Sequence, residues 1–202
     1  MPDFREPPQS EVCRIPLLRG SVNSGRIAAG GAKNTGAEEV CMDVRQEVPV
    51  KSFSIAAYLC RVVSGRGRYL VMRRSTPYLK GTWQMVSGAV EAGESGWGAV
   101  LREIEEETGL VPERFYSADI LEQFYRPDID CVVLVPVFVG FLEADREVWL
   151  SWEHDAFEWI GVEQADRYLL FENQRSAIRD IERRFVQEAP NELLHIDTNR
   201  AG

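Results

Sequence analysis

The sequence has little that would place this chain in a membrane or on nucleic acid. No run of about 18 uninterrupted apolar residues occurs, so we expect no membrane-spanning helix. Lysine and arginine total 23 against 32 acidic residues, a formal charge of −9, which argues against general binding to nucleic acid or anionic membranes. A polyanionic ligand would therefore have to be met by local cations or by metal.

Cysteines are few and widely scattered. None of the four forms a C-x-x-C pair: Cys13, Cys41, Cys60 and Cys131. This pattern matches neither a disulfide framework nor a zinc site, and it favours free thiols in a reducing compartment. Residues 1–14 also lack the basic segment and apolar run of a secretory signal. We therefore expect a soluble, cytoplasmic protein.

The composition of the chain changes near residue 48. Residues 1–48 are rich in Pro, Gly, Ser, Asn and charge and show no sustained apolar period, which predicts a flexible extension. Two alternatives are that this segment orders against a neighbouring subunit or includes residues upstream of the natural start. The 45% hydrophobic content suits one globular domain. We place that domain at 49–189 and expect the tail, 190–202, to fray.

Strand and helix patterns alternate within the predicted domain. Residues 52–63 and 68–74 are β-rich runs that flank the turn sequence SGRG, which predicts a hairpin. Residues 131–142 are nearly all apolar, as is typical of a central strand covered on both faces. Further strands are predicted in 117–126 and, once or twice, in 147–162, and helices in 163–170 and 173–188. A mixed sheet with helices before and after it predicts an α/β/α sandwich.

The most informative stretch is GAVEAGESGWGAVLREIEEETGL, residues 88–110. Glu103, Glu106 and Glu107 are three and four positions apart, so at about 100° per residue they project from one side of a helix. Gly109 is expected to end this helix. A neighbouring apolar arc can bury against a sheet, and it consists of Trp97, Val100, Leu101 and Ile104.

The three carboxylates repel one another and so require a positive partner. Arg102 is the sole cation of the stretch and cannot neutralise three acids. Hard oxygen ligands on a rigid scaffold suit Mg²⁺ or Mn²⁺, and the flanking glycines allow backbone groups to approach a ligand closely. The acidic arc is therefore predicted to be a divalent-metal site. The alternative is an ordinary acidic surface helix.

The fixed positions of this stretch resemble the Nudix box without a departure. The match runs through Gly88, five residues, Glu94, seven residues, and then Arg102-Glu103-Ile104-x-Glu106-Glu107-x-Gly109-Leu110. The resemblance implies a Nudix hydrolase, which cleaves nucleoside diphosphates linked to another moiety. In that family the box glutamates hold Mg²⁺ or Mn²⁺.

Two further passages resemble the Nudix branch that includes bacterial dihydroneopterin triphosphate pyrophosphatase. WQMVSGAVEAGE, from Trp83, is similar to W-Q-x-V-[ST]-G, and EHDAFEWI, from Glu153, is similar to E-H-x-x-x-x-W. The resemblance implies that Glu153 joins the metal ligands and that Ser87 and Arg73 lie at the substrate phosphates. The alternative for Glu153 is an acid in a strand-connecting loop. Residues 116–148 show no reliable match, and substrate-reading loops are expected there.

The resemblance also implies a mechanism, in which water attacks phosphorus in line. The expected metal ligands are the Gly88 carbonyl and four carboxylates: Glu103, Glu106, Glu107 and Glu153. Glu106 or Glu153 would accept the proton of the water. Arg102 is expected to pair with a box glutamate and orient it.

Other residues are assigned to the substrate, which is expected to be a small-molecule phosphoanhydride. Arg73, Arg74 and Lys80 are candidate phosphate-binding cations, or else solvated loop charges. Trp83 and Tyr125 are candidate stacking residues, or else part of the core. His154 is expected to be structural. A homodimer is left open, and the rival function is a non-catalytic Nudix domain that senses a nucleotide or docks a partner.

Overall fold

An eight-stranded mixed sheet organises the chain in the computed structural model, which describes residues 47–143 and 146–198. Its strand order is β1-β7-β2-β3-β4, while β5 pairs with β2, β6 with β7 and β8 with β3. Strand β7 is parallel to β1 and β2, and the other pairs are antiparallel. The strands are β1 (Val50–Lys51), β2 (Ser54–Val63), β3 (Arg66–Arg74), β4 (Trp83–Gln84), β5 (Val86–Ala89), β6 (Arg114–Arg126), β7 (Cys131–Phe141) and β8 (His154–Ile160).

Helices cover both faces of this sheet. They are α1 (Gly96–Thr108), α2 (Ala165–Tyr168) and α3 (Glu172–Ile181), and α3 continues as a π-helical segment, Glu182–Gln187. Successive side chains of a strand point to opposite faces. Ile55 and Leu59 of β2 therefore pack with α1, whereas Tyr58 of the same strand packs with α3. The predicted α/β/α sandwich with a mixed sheet is confirmed.

The predicted hairpin is formed by β2 and β3, and its turn is shorter than the SGRG sequence indicated. Val63 pairs with Arg66, so only Ser64 and Gly65 make the turn, with φ values of 51° and 75°. Gly67 lies within β3, where its N–H donates to the buried Glu182 carboxylate at 3.1 Å. The predicted central strand is β7, which is buried along most of its length between β2 and β6.

Residues 147–162 contain a single strand, β8. The segment before it follows the C-terminal end of α1 instead of pairing in the sheet. Trp149 N–H donates to the Thr108 carbonyl at 2.9 Å, and Ser151 N–H donates to the Glu107 carbonyl at 3.1 Å. These bonds satisfy helix carbonyls that would otherwise lack partners.

The expectation that the chain frays from residue 190 is wrong as far as residue 198. Ile196 N–H donates to the Phe115 carbonyl at 2.8 Å, and the Ile196 side chain packs on the α1 side of the sheet. The His195 ring meets Tyr116 edge-on at 5.1 Å. These contacts join the tail to β6, which is distant in sequence.

Several sequence predictions fall partly outside the described residues. The extension 1–48 does so up to residue 46, and the proposed domain boundaries stay predictions. Cys60 and Cys131 are buried free thiols, whereas Cys13 and Cys41 lie outside the described part of the chain. Among the described residues, no helix is both long and apolar enough to span a membrane.

Candidate active site

Residues 88–110 form the end of β5, a loop and the helix α1. The helix begins after Ser95, whose hydroxyl accepts a hydrogen bond from Gly98 N–H at 3.1 Å. It ends at Gly109, which has a φ of 67° and donates to the Glu105 carbonyl at 2.8 Å. Glycine suits this left-handed position because it has no Cβ. The acidic residues of α1 are thereby held beside β5.

Arg102 binds three acids of the box and one backbone carbonyl. Its Nε and Nη2 donate to the two oxygens of Glu94 at 3.1 and 3.0 Å, and Nη2 also donates to the Ala89 carbonyl at 3.0 Å. Its Nη1 donates to Glu103 at 2.8 Å and Glu106 at 3.2 Å. The bond to Glu94 is the largest cause that raises the pKa of Arg102, and Arg102 in turn lowers the pKa of Glu94.

Glu103 lies against the backbone of β5 at Gly88. A Cβ on residue 88 would be 2.1 Å from Glu103 Cδ and 2.2 Å from Oε1. Burial raises the pKa of Glu103, the Arg102 guanidinium opposes this, and the charges of Glu106 and Glu153 add to the increase. Gly88 and Glu103, expected to share a metal, are in direct contact.

Glu107 is the most buried of the acids in residues 88–110, with 5% of its surface exposed. Its Oε2 has no hydrogen-bond partner among the described residues. Burial raises its pKa well above the ordinary value, Glu103 and Glu153 raise it further, and Arg74 and the Ser87 N–H act in the opposite direction. A buried carboxylate in this setting is costly without a cation.

Glu153 immediately precedes β8 and lies near the acids of α1. Its charge raises the pKa of both Glu103 and Glu107, and its Oε2 is 3.7 Å from Arg74 Nη2. Glu106 is exposed on α1 and is held by Arg102. In the part of the chain that the structure describes, no three acidic, His or Cys side chains already converge around one point. The acids are neighbours whose side chains would have to turn inward to surround one ion.

Hard cations nevertheless fit this donor set. The candidate ligands are carboxylate and carbonyl oxygens, as Mg²⁺ and Mn²⁺ prefer. Glu107, whose Oε2 has no partner among the described residues, and Glu103, which contacts Gly88, both lie beside β5.

The predicted substrate residues lie in three places. Ser87 lies on β5, and its N–H lowers the pKa of Glu107 through a hydrogen bond, so it is part of the acidic site. Arg73 and Lys80 lie near Asp155, whose carboxylate accepts from Arg73 Nε at 2.7 Å and whose pKa both cations lower. Trp83 packs against the α3-side core.

The two candidate stacking residues already have partners. The Trp83 ring meets the Tyr168 ring edge-on, with 5.2 Å between the ring centroids. The Arg73 guanidinium lies 5.9 Å from the centroid of the Trp83 ring. The Tyr125 hydroxyl donates to Asp130 at 2.6 Å near the β6–β7 turn.

Arg74, expected to be a phosphate-binding cation or a solvated charge, lies beside Glu153, and His154 follows Glu153 in the chain. Arg74 contacts Glu153 and also donates to Thr76 Oγ1 at 2.8 Å. Strand alternation predicts the direction of Arg74, because alternate residues of a strand point to one face and Leu70 and Met72 of β3 pack on the α1 side. His154, expected to be structural, is buried with neither ring nitrogen partnered among the described residues, and burial lowers its pKa to about 4.

Comparisons with known proteins place this geometry in a family. A family model described as the NUDIX domain matches residues 53–181. The octanoyltransferase of Myxococcus xanthus is 38% identical over 138 residues, which are 65% of this chain and 36% of that protein. The asymmetrical bis(5'-nucleosyl)-tetraphosphatase of Rattus norvegicus is 28% identical over 104 residues, which are 48% of this chain and 68% of that protein.

Solved structures agree with the family match. The MutT protein of Methanosarcina mazei Go1 is 27% identical with a TM-score of 0.57, covering 69% of this chain and 97% of that one. The chain spans about a third of the octanoyltransferase and most of the MutT protein. Because the family model covers well over half of the sequence and includes the whole acidic helix, this chain belongs to the NUDIX domain family.

Proposed function

We propose that this protein is a metal-dependent pyrophosphohydrolase that cleaves a phosphoanhydride bond in a nucleoside or pterin di- or triphosphate derivative. The observation that carries the proposal is Glu107, a buried carboxylate with one unpartnered oxygen beside two other acids. Like charges in a desolvated site destabilise the fold unless a cation compensates them. An acidic helix that merely faced solvent would not bury such a group.

The ligands of the ion would be Glu103, Glu107 and Glu153, with Glu106 and the Gly88 carbonyl completing the set. Bound Mg²⁺ or Mn²⁺ would supply Lewis-acid activation of the phosphate and lower the pKa of the attacking water.

The remaining site residues orient the reacting groups. Arg102 holds the carboxylates of Glu103 and Glu106 through one nitrogen, Nη1, which limits their rotation. Glu106 or Glu153 accepts the proton of the attacking water. Arg73 and Lys80 contribute positive charge for the phosphate chain, which a protein with a formal charge of −9 must provide locally.

A substrate panel tests the proposal. The panel contains nucleoside and deoxynucleoside triphosphates, dihydroneopterin triphosphate, ADP-ribose, diadenosine polyphosphates and nucleotide sugars, each assayed with Mg²⁺ and Mn²⁺ for release of phosphate, pyrophosphate or nucleotide. We expect turnover of at least one member, and its loss in Glu107→Gln. Glu105→Gln, an exposed change on the same helix, is the matched control and should keep activity.

Binding without turnover would contradict the proposal and favour a nucleotide sensor. Thermal melting with Mg²⁺ separates the cases further. Wild-type protein should be stabilised by the metal because only the folded state presents the site, and Glu107→Gln should lose much of that stabilisation.

A further inference from the structure

Two large aromatic side chains are exposed on segments that adjoin the acidic site. Tyr78 is 59% exposed and Trp152 is 61% exposed. Trp152 directly precedes Glu153, and Tyr78 lies in the loop that follows β3. Rings with an apolar face and a polar edge, left in water next to a site, are typical of ligand contacts.

Hydrogen bonds join the two segments that carry these rings. Ser75 N–H donates to the Glu153 carbonyl at 2.8 Å, and the Ser75 hydroxyl donates to the Trp152 carbonyl at 2.8 Å. Arg74 donates from Nε to the Tyr78 carbonyl at 3.1 Å, while its Nη2 is 3.7 Å from Glu153 Oε2. One guanidinium thus connects the backbone of Tyr78 with a candidate metal ligand.

The backbone next to Tyr78 is held in an unusual conformation. Leu79 has a φ of 54°, a left-handed value that is unfavourable for a bulky residue. The Leu79 carbonyl accepts from Thr82 N–H at 3.1 Å and from the Thr82 hydroxyl at 2.7 Å. Strain of this kind persists where the surrounding structure enforces it, often at ligand sites. It fixes the direction of the loop that presents Tyr78.

The two aromatic residues that the sequence predicted to stack, Trp83 and Tyr125, already have contacts with other side chains. Trp83 contacts Tyr168 and Arg73, and Tyr125 is hydrogen-bonded to Asp130. Within the described ranges, no aromatic ring packs against Tyr78 or Trp152. Tyr78 and Trp152 therefore carry exposed rings on the two segments that Arg74 and Ser75 join at Glu153.

We infer that Tyr78 and Trp152 form an aromatic rim that stacks on the fused-ring heterocycle, a purine or pterin, of the substrate. This inference rests on the proposed function, because the acids beside the rim would hold the phosphates of the same molecule. Lys80 follows Tyr78 by two residues and lies with Arg73 near Asp155, so positive charge accompanies the rim. The heterocycle and the phosphate chain thus meet groups of matching chemistry in adjacent positions.

A binding experiment without turnover tests the rim directly. AMP is titrated into the full-length protein in the presence of a chelator, and tryptophan fluorescence is followed. AMP should quench the wild type, and Trp152→Phe should remove most of that change. Trp149→Phe is the matched control, since Trp149 is 67% exposed but lies over Gly109 at the end of α1. Absence of quenching in the wild type, or full quenching in Trp152→Phe, overturns the rim.

Kinetics with the best substrate of the panel provide the second test. Loss of one stacking contact in Tyr78→Ala or Trp152→Ala should raise KM for a nucleotide about tenfold. The value of kcat should stay within about twofold, because stacking contributes equally to the ground and transition states. Trp149→Ala should leave both constants unchanged.

Inorganic tripolyphosphate, which has no ring, distinguishes stacking from general damage to the loop. Its inhibition constant should be the same in all these variants. An equal loss of affinity for tripolyphosphate and nucleotide overturns the rim. A wild type that quenches with AMP but hydrolyses no panel member sustains the rim and refutes the proposed hydrolysis, so the two failures are distinguishable.

Discussion

The carboxylate of Glu103 occupies the space that any side chain at position 88 would need. A Cβ on Gly88 would lie 2.1 Å from Glu103 Cδ, far inside van der Waals contact. Gly88 pairs with Ile55 in the sheet, so its backbone is fixed by β2 and cannot retreat easily. The position of a candidate metal ligand on α1 is thus determined by the missing side chain of a strand.

Gly88→Ala should therefore displace Glu103 and reduce kcat by about 100-fold, the scale expected when a catalytic group moves by about 1 Å. The change is measured with the best panel substrate at saturating Mg²⁺. Gly96→Ala is the matched control, because its Cβ would be 3.9 Å from the nearest atom, Ile55 Cγ2. Alanine is favoured over glycine within a helix, so this control should keep its activity and its stability. A wild-type kcat in Gly88→Ala would contradict the assignment of Glu103.

Glu107→Gln should stabilise the metal-free protein while removing activity. Burial and the charges of Glu103 and Glu153 raise the pKa of Glu107 in the fold, so the folded state binds its proton more tightly than the unfolded chain. The contribution of Glu107 to the free energy of unfolding therefore falls as the pH rises above the ordinary pKa of glutamate. The gain in Tm from Glu107→Gln should be larger at about pH 8 than at about pH 5, as melting with chelator would show. A lower Tm at both pH values would count against an uncompensated buried charge.

Glu122 provides a pH test away from the acidic helix. It is buried on β6 and accepts from the Tyr58 hydroxyl at 3.0 Å, and burial raises its pKa from 4.5 to about 7. The ionised form is disfavoured in the fold, so wild-type stability should fall by about 3 kcal/mol as the pH rises through this interval. Glu122→Gln keeps an acceptor for Tyr58 and should remove about 3 kcal/mol of the fall, leaving the part that Glu107 contributes in the metal-free protein.

Denaturant unfolding at about pH 5 and about pH 8 measures the effect. Glu158→Gln, at an exposed position of β8, is the control and should leave the pH dependence as it is in the wild type. If the free energy of unfolding changed with pH by the same amount in Glu122→Gln and the wild type, Glu122 would not be the source of the pH dependence.

Arg102→Lys should weaken both stability and catalysis. Lysine keeps the charge but cannot contact Glu94, Glu103 and Glu106 together, because it lacks the guanidinium fork. Loss of these charge-assisted bonds should cost about 2 kcal/mol of unfolding free energy. Turnover should fall as Glu103 and Glu106 gain freedom. The test combines denaturant unfolding with kcat.

The control for Arg102→Lys is Arg183→Lys. Arg183 forms an exposed ion pair with Asp180 at 3.0 Å, and such pairs contribute about 0 to 1 kcal/mol. Equal effects of the two substitutions would show that the contacts of Arg102 have no special importance.

The acidic helix could be predicted from the sequence because its determinants are local. Ser95 and Gly109 bound the helix, and the spacing of Glu103 and Glu107 places them on one face. The pairing of β2 and β3 was equally accessible, since two β-rich runs flank a short turn. In both cases, the interacting residues are close together in the chain.

The position of Glu153 could not be derived from such patterns. It depends on the antiparallel pairing of β8 with β3 and on a register shift between Arg73 and Arg74, both of which are tertiary features. Only the family resemblance indicated this residue. The packing of Ile196 on the sheet was missed for the same reason, because its hydrogen-bond partner, Phe115, is far away in the sequence.

The backbone bonds on either side of Trp152 have a consequence for chain length. Ser151 is bonded to the last turns of α1 through the Glu107 carbonyl, and Glu153 is bonded to the residue after β3 through Ser75 N–H. Only one residue separates the two attachments. An insertion or deletion there would break one bond or shift the register of β8, whereas substitution of Trp152 would leave both intact. The spacing between Ser151 and Glu153 therefore tolerates changes in side-chain identity but not in the number of residues.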